Sequence, residues 1–199
     1  ATGRAGIMTL KTRRANKMLN DVAKVLGVKD GWFYSTFNAD QKAILAEAAN
    51  DEIATADLTT PQARQVRDYF EAIYQELNLD KYDVGFRKNF FPRVIAIAEI
   101  ASDEGKQQKL KELLKQANPT VKDTEINKAV NDMISKNNGD IEFTAQEDID
   151  IGMLKERKPL FSKITNKQLM DAGLVDPPEV ALKKYLDKVS LKYEFEQSG

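Results

Sequence analysis

Acidic side chains are densest between residues 142 and 150, which contain Glu142, Glu147, Asp148 and Asp150. Closely spaced carboxylates can bind a hard cation or act as an acid and base pair. A calcium loop needs oxygen ligands at alternate positions, a glycine at its sharp turn and a closing glutamate, and this segment lacks that order. Because the helix macrodipole favours acids in a first turn, we interpret the cluster as a helix start and not as a metal site.

Composition excludes several kinds of catalytic chemistry. The chain has no histidine and no cysteine, which removes the Ser-His triad, thiol chemistry, disulfides and the usual zinc ligands. The phosphate-binding and nucleophile-elbow glycine motifs are also absent. A glycosidase needs only two carboxylates, but the candidate acids fit the solvent-exposed sides of helices: Glu47, Glu52, Glu71, Glu76 and Glu99. We therefore predict no catalytic residue, no metal ligand and no cofactor.

Basic side chains are concentrated at the N-terminus. Residues 1 to 29 carry seven cations and one anion, Asp21, although the net charge of the whole chain is −1. A basic helix can contact phosphate or an acidic membrane surface. These cations are interrupted, and no stacking platform of aromatic residues accompanies them, so a solvated helix face is the favoured interpretation. The possible nucleic-acid contacts are Arg4, Lys11, Arg13, Arg14 and Lys17.

Rings and cations alternate in residues 83 to 94, after a glycine that can take a positive φ. The segment contains Gly85, Phe86, Arg87, Lys88, Asn89, Phe90, Phe91, Pro92 and Arg93. Cations beside rings suit single-stranded nucleic acid. Alternatively, an arginine that covers a ring, or that pairs with Asp80, Asp83 or Glu99, would join two helical layers. We favour this internal role because proline fixes the backbone and the two phenylalanines are more apolar than a reversible base platform needs.

The run from Val84 to Arg93 resembles the G-[FY]-R-x-N-[FY]-F-P-[RH] signature of very large polyvalent bacteriophage proteins, which are carried in the virion and ejected with the genome. A second, C-terminal run is similar to a downstream region of those proteins: Leu154 to Phe161, Leu169, Asp176-Pro177, Tyr185 and Lys192 to Phe195. Two departures are present. Phe90 stands where a tyrosine is expected, and the last eight residues are only similar to the basic ending K-R-x-E-F-x-x-x-G.

The resemblance implies a non-catalytic structural or interaction module of a large virion protein that is delivered with the genome into the host cytoplasm. It implies partners among the other modules of the same chain or among virion proteins. The alternative is an accessory segment that binds nucleic acid or substrate for a virion-associated polymerase, lytic or anti-defence enzyme. The start Ala1-Thr2-Gly3 is typical of an internal cut or a tag remnant, so we expect a fragment of a longer polypeptide.

Apolar spacing predicts an all-α fold, an irregular bundle of about seven to nine helices with an extended aromatic-proline connector. Capping residues predict helix starts after Asn38, Thr60, Thr144 and Thr165, and a further helix should begin near Pro92. No run of about 18 apolar residues is present, so we predict no transmembrane helix.

The predicted division has an N-terminal helical half at 1–82, the connector at 83–94 and a C-terminal helical half at 95–199, within one continuous domain. The C-terminal half contains a helical hairpin at 103–139 that is rich in Lys, Gln and Asn and poor in large apolar residues. We therefore expect this hairpin to be peripheral. The aromatic residues around Trp32 are expected to fill the end of the bundle.

Overall fold

A computed structural model of the chain describes residues 3–32, 36–82, 90–137 and 159–198. These ranges contain nine α-helices, and their β pairing is limited to one isolated antiparallel bridge between Ile95 and Val175. The all-α prediction is confirmed. In chain order the helices are α1 Arg4–Val25, α2 Ala39–Ala49, α3 Pro61–Glu76, α4 Ile97–Ala101, α5 Glu104–Ala117, α6 Asp123–Asn137, α7 Pro159–Ser162, α8 Asn166–Asp171 and α9 Pro178–Ser198.

The chain divides into two compact units. Unit 1 consists of residues 1–92 and 178–199, and unit 2 consists of residues 93–177. Helix α9 therefore belongs with α1, α2 and α3, whereas the sequence-based division grouped it with the C-terminal half. Apolar spacing locates a helix but does not identify the helices that it packs against, which is why the division differs. A single continuous domain remains a prediction.

The core of unit 1 is built from helical stripes. On α1 the fully buried residues include Ala15, Leu19 and Val22, which follow one helical face. Apolar residues recur on one face of α3 and into its C-cap: Val66, Phe70, Ile73 and Leu77 are buried, and Tyr69 and Tyr74 are half-buried. Helix α9 adds Leu182, Tyr185, Leu186 and Val189. The small Ala48 and Ala49 of α2 are also buried, and their size permits close helix approach.

Three helices begin directly after the capping residues that the sequence predicts, Asn38, Thr60 and Thr165. Asn38 Oδ1 accepts from the Gln41 N–H at 2.8 Å, and Gln41 Oε1 accepts from the Asn38 N–H at 2.9 Å. Thr165 and Gln168 form the same reciprocal pair at the start of α8. Thr60 is the N-cap residue of α3, but its side chain accepts no capping hydrogen bond from the backbone of that helix. The start predicted after Thr144 lies outside the described residues.

The core of unit 2 comes from four helices, α4, α5, α6 and α8, and from the chain around them. Its buried apolar residues are Ile95, Ile97, Ile100, Leu110, Leu113, Leu114, Ile126, Val130, Ile164, Leu169 and Leu174. Five of these lie on α5 and α6, which belong to the hairpin that the sequence predicts to be peripheral. The two helices therefore contribute to the interior of unit 2, because a few leucine, isoleucine and valine residues on one face are enough to bury that face of a helix.

The prediction that a helix begins near Pro92 is wrong. Residues 90–96 are not helical, and α4 begins at Ile97. Val94 O accepts from the Asp176 N–H at 2.8 Å, and the Ala96 N–H donates to Leu174 O at 3.0 Å. The apolar run after Pro92 therefore enters unit 2 as an extended segment. β-Branched residues suit such a segment, and short apolar runs do not distinguish a strand from a helix.

Candidate functional site

The described part of the aromatic-basic segment contributes its rings to the core of unit 1. Phe90 and Phe91 are buried, and their ring centroids lie 5.9 and 5.4 Å from that of Phe70 in edge-to-face geometry. Tyr185 completes the group, 5.6 Å from Phe70 and 5.3 Å from Phe90. We call these four residues the aromatic cluster. The predicted motif residues Gly85, Phe86, Arg87 and Asn89 lie outside the described residues.

Tyr185 brings a hydroxyl into the aromatic cluster. Its side chain is fully buried, and this burial, with a smaller contribution from Tyr74, raises the pKa of Tyr185 well above that of an exposed tyrosine. The phenol therefore keeps its proton to a higher pH than an exposed tyrosine does. The buried tyrosine contributes packing area to α9, and its ring lies edge-to-face with Phe70 and tilted by 53° against Phe90.

Arg93, at the end of the same segment, is buried in unit 2. Its Nη1 donates to Ile164 O at 2.7 Å and its Nη2 donates to Phe161 O at 2.8 Å. Both acceptors are backbone carbonyls, one in the last turn of α7 and one before α8. Of the acidic partners that the sequence predicts for the arginines of this segment, Glu99 pairs with Lys106 at 2.9 Å. Arg93 thus fixes the short helices of unit 2.

Arg67 is a buried cation of α3, which its residue type does not predict. Its guanidinium donates to Ala48 O at 2.9 Å, Asn50 O at 2.6 Å and Ile53 O at 2.5 Å. These carbonyls lie at and just beyond the C-terminus of α2, where backbone acceptors have no partner within the helix. Desolvation lowers the pKa of Arg67, and the charges of Asp51 and Glu47 oppose this shift. Arg67 comes four residues after the buried Ala63, so both lie on one face of α3, and this spacing was the sequence signal that Arg67 would be buried.

Glu47, interpreted from sequence as solvent-exposed, caps the start of α3. Its Oε1 accepts from the Thr59 N–H at 2.7 Å, from the Thr59 hydroxyl at 2.9 Å and from the Thr60 N–H at 3.2 Å. Its Oε2 accepts from the Thr60 hydroxyl. These hydrogen bonds, that of the Thr60 hydroxyl above all, lower the pKa of Glu47. A carboxylate at a helix N-terminus is also favoured by the macrodipole.

The substitution Glu47→Gln is expected to remove part of the acid sensitivity of unit 1. Since the folded-state pKa lies below the ordinary value of 4.5, the carboxylate stabilises the fold above that pH and stops doing so as the pH falls through the lowered pKa. At neutral pH the variant should lose about 1 kcal/mol or less, because the carboxylate is partly exposed. Urea denaturation at neutral pH and at about pH 3 measures the difference in unfolding free energy between wild type and variant. If that difference does not become smaller at the lower pH, the charge of Glu47 does not have this stabilising role.

The predicted nucleic-acid residues of α1 separate into different environments. Arg14 is used within unit 1: its Nε lies 2.8 Å from Glu194 Oε1, and its Cζ lies 4.2 Å from the centroid of the Tyr193 ring. Arg4 and Lys11 are one heptad apart, so they share a different side of the helix from Arg13 and Lys17. The structure therefore brings together Arg13 and Lys17, which are both exposed.

Lys17 also lines a groove at the C-terminal end of α1, which we call the lysine groove. Its volume is about 520 Å³, and it is lined by Lys17, Asn20, Asp21, Lys24, Val28, Lys29, Asp30 and Gly31. Asn20 Oδ1 accepts from the Trp32 N–H at 3.0 Å and fixes the loop after α1. Gly31 has φ of +81°, which L side chains rarely adopt, and an added Cβ would lie 2.9 Å from that oxygen, so the Asn20 side chain would have to shift.

Metal-binding geometry is not formed by the described part of the chain, where no group of three or more Asp, Glu, His or Cys side chains could hold an ion. The acidic cluster at residues 142–150 lies outside that part. Among the described helices, none has the length and apolar content needed to cross a bilayer.

Comparison with known proteins gave no match, whether to a family profile, to a curated protein or to a solved structure.

Proposed function

We propose that the chain is a non-catalytic structural and interaction module of a large bacteriophage virion protein that enters the host cytoplasm with the genome. The resemblance of Val84 to Arg93 and of the C-terminal run supports this proposal. The observation that carries it furthest is the burial of the described motif residues. Phe90 and Phe91 lie in one hydrophobic core and Arg93 binds backbone carbonyls in the interior of the other unit.

Burial of this kind suits a module whose role is to keep its shape. A catalytic or reversible binding motif keeps its reactive groups at a cleft, where a substrate can reach them. Here two rings and one guanidinium from four consecutive positions instead fill interior sites. The partners of such a module would be other modules of the same long chain, or other virion proteins, that contact its outer surface.

Mass spectrometry of gradient-purified particles tests the proposal. The sample is the phage whose genome encodes the chain, and the control is a lysate of infected cells taken before particles assemble. We expect peptides from this chain in the particles, at a constant ratio to the capsid protein across the gradient, and a lower ratio in particles that have ejected their genome. Peptides that are abundant in the lysate but absent from the particles would overturn the proposal.

Nucleic-acid binding is the second candidate function, and one observation favours it. Within the ranges that the structure describes, Arg13, Lys17, Lys24 and Lys29 make no ion pair with an acidic side chain. Uncompensated cations on a protein surface attract phosphate at low salt. This function would suit an accessory segment of a virion-associated enzyme. Binding to an oligonucleotide separates it from the structural role, which requires none.

A further inference from the structure

Cations form a line along one face of α1. The three cations are Arg13, Lys17 and Lys24, at positions i, i+4 and i+11. Asn20, at i+7, lies between them on the same side of the helix. From Arg13 to Lys24 the line is about 16 Å long, because each residue of a helix advances by about 1.5 Å. Lys29 extends it, since it lines the lysine groove together with Lys17 and Lys24.

The loop that carries Lys29 has a defined position relative to α1. The Trp32 N–H donates to Asn20 Oδ1, and Trp32 itself is buried, with its ring 4.6 Å from that of Phe37. Gly31, with its positive φ and no side chain, allows the loop backbone to lie close to the Asn20 side chain. A lysine on a fixed loop loses less freedom on binding than one on a mobile loop.

Acidic residues at the groove reduce its charge but do not cancel it. The lining contains Asp21 and Asp30, against three lysines. Asp21 Oδ2 accepts a hydrogen bond from the Tyr69 hydroxyl at 2.8 Å, so one of its oxygens is already occupied. With Arg13 one turn before Lys17, the face carries four cations and two anions.

We propose that the lysine groove and Arg13 bind the phosphodiester backbone of nucleic acid without regard to sequence. This inference rests on the second candidate function and gives it a site. The chemistry is that of ammonium and guanidinium groups with phosphate oxygens. A line of about 16 Å covers roughly five phosphates of one strand at about 3.4 Å per nucleotide in a duplex. No base-reading geometry is needed.

A nucleic-acid strand suits this surface better than an anionic membrane. The apolar face of α1, with Met18, Leu19 and Val22, is buried in unit 1 and is not free to enter a bilayer. Amphipathic helices that bind membranes insert such a face. The groove is also concave, whereas a lipid surface is flat on this scale.

Fluorescence anisotropy with the intact chain tests the site. The probes are an oligothymidylate and a mixed-sequence duplex, and vesicles with anionic phospholipid form a third arm. The test variant is Lys24→Gln with Lys29→Gln. The matched control is Lys109→Gln with Lys128→Gln, which removes two charges from exposed positions on α5 and α6. Circular dichroism melting of both variants checks that the fold is kept.

We expect wild type to bind either nucleic acid at low salt and to lose roughly a hundredfold in affinity between about 50 and about 200 mM NaCl, as four phosphate contacts predict. The groove variant should bind at least about tenfold more weakly with a shallower salt dependence, and the control variant should match wild type.

An equal loss of affinity in both variants would overturn the assignment of the binding site to the lysine groove, although the chain would still bind nucleic acid. No binding by wild type at low salt would overturn both ideas. Groove-dependent binding to vesicles without binding to either oligonucleotide would overturn the assignment to nucleic acid.

Discussion

Replacing Phe91 with alanine is expected to lower the free energy of unfolding of unit 1 by about 3–5 kcal/mol. The Phe91 side chain is 1% exposed and packs edge-to-face against Phe70 of α3, which also contacts Tyr185 of α9. The loss combines the missing apolar area, the residual cavity and the aromatic contact. Because a domain is typically stable by only about 5–15 kcal/mol, the variant should unfold at a clearly lower urea concentration, measured by circular dichroism.

Phe195→Ala is the matched control, since it removes the same ring from a side chain that is 49% exposed. Its expected cost is below about 0.5 kcal/mol. Phe91→Leu should fall between the two, because it keeps apolar volume but loses the ring contact. If Phe91→Ala proved as mild as Phe195→Ala, the aromatic cluster would not be part of the core, and the structural interpretation of the motif would lose its main support.

Features set by neighbouring residues could be predicted from the sequence. The capping boxes of Asn38 with Gln41 and of Thr165 with Gln168 form as expected, because each joins side chains three positions apart. Gly27 ends α1 with φ of +75°, as a glycine after a helix commonly does. Helical stripes were predictable for the same reason, since their period is a local property.

Features set by distant residues could not be predicted. The apolar run after Pro92 is extended because Ile95 pairs with Val175, which is 80 positions further along the chain. The sequence predicts Glu47 to face solvent, because nothing within one turn of it indicates that Thr59 and Thr60 will donate hydrogen bonds to it. Short apolar runs and single charges are compatible with several environments, and the fold selects among them.

The candidate nucleic-acid site shows the same limit. The sequence reveals the density of cations in α1, but it does not reveal that Arg14 pairs with Glu194, 180 positions away. It also does not show that Lys29 joins the same face. That placement involves contacts between distant positions, such as the hydrogen bond from the Trp32 N–H to Asn20 Oδ1 and the burial of Trp32.

Replacing Arg67 with methionine is expected to cost about 3–4 kcal/mol of unfolding free energy. Methionine keeps the apolar length of the side chain but supplies no donor. The carbonyls of Ala48, Asn50 and Ile53 would then lose the hydrogen bonds that end α2. Each buried acceptor left without a partner costs about 1–3 kcal/mol, partly offset by the desolvation that the arginine itself no longer pays. Urea denaturation of unit 1 measures the loss.

Two further variants identify the cause. Arg13→Met removes the same charge from an exposed position of α1 and should change stability by less than about 0.5 kcal/mol. Arg67→Lys keeps the charge but cannot hold three carbonyls in the planar geometry of a guanidinium, so it should recover only part of the loss. Full recovery by lysine would mean that charge at this site matters and hydrogen-bond geometry does not, and Arg67 would then stabilise the end of α2 through its electrostatic field alone.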